Sequence, residues 1–181
     1  MKTQSKTQLI LTIMNVLFWI AFIGLCYNTG TILFSFLIGL MGNQVVTDKL
    51  YLELNLTELY KLGLFHYLNI GLILVIASGL KAYIAYLVVK ISTKFNLQQP
   101  FNKTAYRIIS QISYFTLIIG ILQVCAQSYY KGLIKEGFVI TNLSKYFNNG
   151  DEAIFLAGII FIIAQFFKRG LEIQSENELT I

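Results

Sequence analysis

The sequence predicts an all-α integral membrane protein with four transmembrane helices, to which the outer loops add a short β-pair. Three observations carry the prediction. Of 181 residues, 56% are hydrophobic and 13% charged, with a mean hydropathy of +0.65; an ordinary soluble domain has roughly a quarter of its residues charged. Four apolar runs approach the roughly 20 residues a helix needs to cross a hydrocarbon core about 30 Å thick, where backbone groups find partners only inside their own helix. Lys and Arg fall in short groups beside those runs and not over one polar face, so the net charge of +5 points to the lipid bilayer and its anionic headgroups, with no direct nucleic-acid binding. One Pro, scattered Gly and the absence of a linker-like stretch make residues 1–181 a single domain.

The first span is expected at about 9–27. The start, MKTQSK before a long apolar run, has the look of a signal peptide, yet the run continues past a normal apolar core and offers no small-x-small cleavage site, so it is expected to remain as a span. Residues 31–42 (TILFSFLIGLMG) are apolar but too short to cross alone, and Asn28, Thr29 and Gly30 separate them from the first span. They are expected as an interfacial or partly buried excursion, or as a helical extension of the first span. Leu50, Leu52, Leu54 and Leu56 then alternate with Tyr51, Glu53, Asn55 and Thr57, a period of two that argues for a short strand, with Gly137–Thr141 as its partner. Asn55 and Glu58 have capping-box spacing for the following helix.

The second span is expected at about 64–89, the third at about 108–129 and the fourth, the shortest, at about 153–167, with a tail at 168–181. Orientation follows from basic residues near the span ends. Lys2, Lys6, Lys90, Lys94, Lys103, Arg107, Lys168 and Arg169 lie in short segments without acids at the membrane edge. The other side mixes Lys49, Lys61, Lys131, Lys135 and Lys145 with Asp48, Glu53, Glu58, Glu136, Asp151 and Glu152. This places both termini in the cytoplasm, in a bacterial inner-membrane arrangement. Pro100 should end the extension of the second span, and Asn102 should cap the helix that becomes the third. Tyr27, Tyr129 and Tyr130 sit at expected interfaces, whereas Trp19, Tyr83 and Tyr114 fall inside spans as helix-packing residues.

Little in the spans carries chemistry. His66 is the single histidine, and no apolar run contains Asp or Glu, so a metal site or proton relay lacks ligands and the residue reads as an interfacial histidine. Lys81 is the one charge inside a span. A charge at the bilayer centre costs roughly 3 kcal/mol on insertion scales, so Lys81 is either a snorkelling anchor or an intramembrane functional group. Gln111, Gln123, Gln127 and Gln165 are expected to join helices. Cys26 and Cys125 belong to no metal or redox spacing and are expected as buried thiols, with a disulfide as the alternative. No nucleophile elbow, phosphate loop or zinc helix occurs, so no catalytic residue, cofactor or metal is assigned and the chain is expected not to be an enzyme.

The distinctive residues are in the loop KFNLQQPFNKTAYR and the ending KRGLEIQSENELTI. The ending is expected as a frayed solvated tail, or as a docking peptide or a piece packed on the basic loop. Pro100 and Phe101, with Arg107 nearby, and Arg169, Gly170, Glu172, Ile173, Gln174, Glu176, Asn177, Glu178, Leu179, Thr180 and Ile181 resemble the bacterial membrane proteins catalogued as domain of unknown function 2975. The resemblance implies four spans, a PF-containing loop between the second and third, and an RG-x-E-[LI]-Q-x-E-N-[DE]-L-T-[IV] ending. Ile173 and Glu178 stand where Leu and Asp are commoner. It also implies proximity to a small helix-turn-helix regulator, because members are often encoded beside one. The expected function is a noncatalytic membrane partner or sensor for such a regulator, docked through these loop and tail residues. The alternative is a small transporter, channel or toxin-immunity membrane protein built around Lys81, with a homo-oligomer as one way to form a pore.

Overall fold

The computed structural model describes residues 6–41, 63–94, 101–136, 138, 147 and 149–178. Four helices account for nearly all of them: α1 (Lys6–Leu40), α2 (Leu64–Lys94), α3 (Lys103–Lys135) and α4 (Gly150–Glu178). Each is long and apolar enough to cross a membrane. At 1.5 Å per residue, the 35 residues of α1 reach about 50 Å, well beyond a hydrocarbon core of about 30 Å. The surplus is taken up by tilt or by projection into the headgroup layers.

The chain threads up and down, and each helix packs against the next: α1 on α2, α2 on α3, and α3 on α4. The helices therefore form a row. No packed seam joins α1 to α4, and both edge helices leave large apolar side chains bare, including Ile13, Ile20 and Ile23 on α1 and Phe155, Ile162 and Phe166 on α4. In water such a surface would drive aggregation; in a bilayer it is solvated by acyl chains, as expected for helices apolar all round.

The first span does not stop near Tyr27. Residues 31–40 continue α1 without a break, which realises the helical extension and not the interfacial excursion. The physical reason lies in the polar residues that suggested a boundary. Thr29 donates to the carbonyl of Leu25 at 2.8 Å and reaches Ser78 on α2 at 3.0 Å. Thr31 donates to Asn28 and Ser35 to Thr31, both at 2.8 Å. Hydroxyls satisfied on their own helix are compatible with continued winding. The extension is then held by packing: Ile32, Ser35 and Phe36 are buried at helical spacing on one face, Phe36 stacks on Tyr67 at 5.4 Å, and the Tyr67 hydroxyl donates to the Phe36 carbonyl at 2.7 Å.

Two apolar clusters hold the row. One gathers Ile32, Phe36, Tyr67, Ile70, Leu74, Ala126, Leu133 and Phe147 at the end away from the α2–α3 connection. The other joins Leu87, Ile108 and Ile112 near that connection. Between α3 and α4 the seam is made of small residues. A Cβ on Gly120 would lie 2.9 Å from the Ile154 nitrogen and 3.0 Å from the Gly150 oxygen, and Ala157 and Ala164 are buried along the same face of α4. Small residues let the two backbones approach, the usual solution where lipid supplies no hydrophobic drive between helices.

The fourth helix also runs further than its apolar core. It starts at Gly150 and continues to Glu178, so most of the expected tail is helical and not frayed. The expected β-pair lies outside the described residues except for Phe138, as does the Asn55/Glu58 capping box; among the described residues there is no strand.

Candidate functional site

The end of the row where α2, α3 and α4 come together carries Lys90, Lys103, Arg107, Lys168 and Arg169 and is here termed the basic end. The connection from α2 arrives there at Phe101 and Asn102. Asn102 has an extended backbone, φ −135° and ψ 154°, and its side-chain oxygen accepts from the Ala105 nitrogen at 2.7 Å. This is the expected N-cap, and it satisfies one of the donors that a helix start leaves free.

The cap also aims the preceding residue. Phe101 lies against α4, edge to face with Phe167 at 5.4 Å between ring centroids, and its ring covers Gly170. A Cβ on Gly170 would sit 2.7 Å from Cδ1 of Phe101. The two segments singled out in the sequence therefore meet: the loop phenylalanine occupies a seat that only glycine provides. Of the two rival readings of the ending, a piece packed on the loop describes residues 167–170. Arg169, next to this contact in sequence, is exposed and donates to Glu172 at 2.9 Å one turn on. Arg107, Ile173 and Glu176 are exposed around it, and Phe101 itself keeps 40% of its surface. Pro100, Leu179, Thr180 and Ile181, and the side chain of Asn177, lie outside the described residues.

Lys81 is in a different place. It lines a cleft of about 460 Å³ together with Leu25 of α1, Ile84 of α2, Thr116 and Gln123 of α3, and Glu152 and Leu156 of α4. Glu152 is the residue that sequence reasoning missed. Counted by sequence it belongs to an outer loop, but α4 begins level with the middle of α2 and α3, so its first turn borders the cleft. The shortness of the fourth apolar run was the available signal.

The other candidates are structural. His66 Nδ1 and the Tyr129 hydroxyl are 2.7 Å apart and join α2 to α3 by a hydrogen bond. Tyr83 meets Phe115 edge-on at 5.1 Å across the α2–α3 seam as expected, and Tyr114, 55% exposed, reaches Phe161 at 6.5 Å; Trp19, 45% exposed, meets Phe22 on its own helix at 5.8 Å, which corrects its reading as a residue packed between helices. Cys26 and Cys125 are free and exposed, which corrects the expectation of burial: their thiols lie on the outer surface of the row. Among the described residues no three His, Cys, Asp or Glu side chains group as metal ligands do.

Fold and surface together define a multi-pass helical membrane protein. The family model described as "Protein of unknown function (DUF2975)" matches residues 65–181, from the first turn of α2 to the last residue. The chain belongs to that family, as its loop and ending suggested. No curated protein and no solved structure matches it.

Proposed function

We propose that the chain is a noncatalytic membrane partner, or sensor, for a cytoplasmic helix-turn-helix regulator, and that the basic end is the docking face. One observation carries the reading: Phe101 seated on Gly170 joins the two segments that distinguish this chain into one surface. Around the seat stand cations at Lys103, Arg107 and Lys168, the Arg169–Glu172 pair, and the bare apolar side chain of Ile173. An apolar centre ringed by both signs of charge is the composition of a protein-docking patch. The cytoplasmic assignment of this face rests on its Lys and Arg content.

Proximity labelling from a tag at Glu176 in the native membrane tests it. Enrichment of a helix-turn-helix protein by the full chain, and its loss with Ile173→Asp or with a chain ending at Arg169, is the expected result; equal enrichment by all three overturns it. The alternative, a small transporter, channel or immunity protein, draws support from the cleft that Lys81 borders, and flux unaffected by Lys81→Ala would remove that support.

A further inference from the structure

Lys81 and Glu152 bring opposite charges to the same cleft, although 71 positions of sequence separate them. The helix register explains the meeting. Tyr83 touches Phe115 across the α2–α3 seam, and Ser113 bonds Ala157 across the α3–α4 seam at 2.9 Å. Counting up the antiparallel helices from these contacts places Lys81 level with Thr116 and with the first turn of α4.

The cleft has the attributes of a ligand site. Its volume of about 460 Å³ is within the range of roughly 300–1,000 Å³ for small-molecule pockets, which combine a mostly apolar lining with a few placed polar groups. Leu25, Ile84, Ile119 and Leu156 supply the apolar wall. Gln123 is only 4% exposed, borders the cleft, and has no hydrogen-bond partner among the described residues. Its amide is therefore available to bond a group in the cavity. Lys81 and Glu152 form no ion pair with each other among the described residues.

Charge selects the occupant. A fatty acid would answer Lys81 and set a like charge against Glu152; a cationic amphiphile would do the reverse. A zwitterion answers both. The cleft draws walls from all four helices, and α1 and α4 do not pack together, so its open side faces lipid and the occupant enters from the bilayer. A carboxylate is best met by an ammonium that still carries N–H donors, which favours a primary amine over a quaternary one. We infer that the cleft binds a phospholipid with a phosphoethanolamine headgroup, its phosphate at Lys81, its ammonium at Glu152 and its apolar part along Leu25, Ile84 and Leu156. Gln123 then bonds the polar part of the lipid. The site is separate from the Phe101–Gly170 surface and stands whether or not that surface docks a regulator.

The test uses the full chain purified in detergent, titrated by native mass spectrometry with lysophosphatidylethanolamine, lysophosphatidylcholine and lysophosphatidylglycerol of one chain length. The ethanolamine lipid is expected to bind about tenfold or more tightly than the other two, the scale of one charge-assisted hydrogen bond. Glu152→Gln should abolish that preference, Lys81→Gln should weaken all three lipids alike because each carries the phosphate, and Lys81→Arg should keep both affinity and preference. Equal affinity of the wild-type chain for the three lipids overturns the inference without reference to how any variant folds. So does an unchanged preference in Glu152→Gln, or an unchanged affinity for all three lipids in Lys81→Gln. Water-soluble phosphoethanolamine competing as well as the lysolipid would overturn the lipid as the source.

Discussion

Ser113 on α3 donates its hydroxyl proton to the Ala157 carbonyl on α4 across 2.9 Å, and both residues are buried. This bond pins the register of the most extensively packed helix pair. The small residues at Gly120 and Gly150, each about two turns away on its own helix, allow the approach, and the hydroxyl fixes how far the helices slide.

Ser113→Ala is therefore expected to lower stability by about 0.6 kcal/mol, the average for hydrogen bonds between membrane helices, and by no more than about 1.7 kcal/mol. Reversible unfolding of the chain in mixed micelles, followed by far-UV circular dichroism, reads the change. Helical content before the transition should match the parent.

Gly120→Val should cost more, about 1–3 kcal/mol, because the added atoms meet not only the Ile154 side chain but also the backbone of Ile154 and Gly150, which cannot turn away. Gly158 is the matched control: nothing lies within 4 Å of a Cβ built there, so Gly158→Val is expected to shift the thermal midpoint in detergent far less. Equal shifts for the two would contradict the close α3–α4 approach.

Asn102→Ala removes the cap of α3 and is expected to cost about 1 kcal/mol, with Asn102→Asp retaining most of it. The same unfolding in mixed micelles reads the loss, and a stability equal to the parent's in Asn102→Ala would contradict the cap.

Orientation is open to a direct measurement. With Cys26→Ser and Cys125→Ser as background, a cysteine at Met41, just past the end of α1, should react with an impermeant maleimide added to intact cells. A cysteine at Glu176 should react only after the membrane is opened. Labelling of the Glu176 cysteine in intact cells with the Met41 cysteine protected would reverse the assignment made from Lys and Arg.

The four helices were legible because apolar length is a property of composition, and lipid permits few alternatives to a helix. Their ends were less so. Asn28, Thr29 and Gly30 look like a boundary when each residue is weighed alone, and only the bond from Thr29 to Ser78 on α2 shows why winding continues. The tail was misjudged for a related reason: charged residues from Lys168 to Glu178 resemble a solvated strand of chain, whereas one turn of spacing lets Arg169 and Glu172 pair on a helix. Loop and ending could be recognised as distinctive, but not as neighbours. The cleft was invisible, since Lys81 and Glu152 meet only through the offset start of α4, which depends on three successive helix registers.

Gly170 gives Phe101 its seat, and no other residue from Ile159 to Glu178 is a glycine. An axial slide of α4 by one turn would bring Phe166 or Gln174 under the ring, and neither leaves room for it. The phenylalanine works as an index pin in a single notch: it fixes where along its axis the last helix stops, and with it the height at which Glu152 stands across from Lys81, some 18 residues up the same helix.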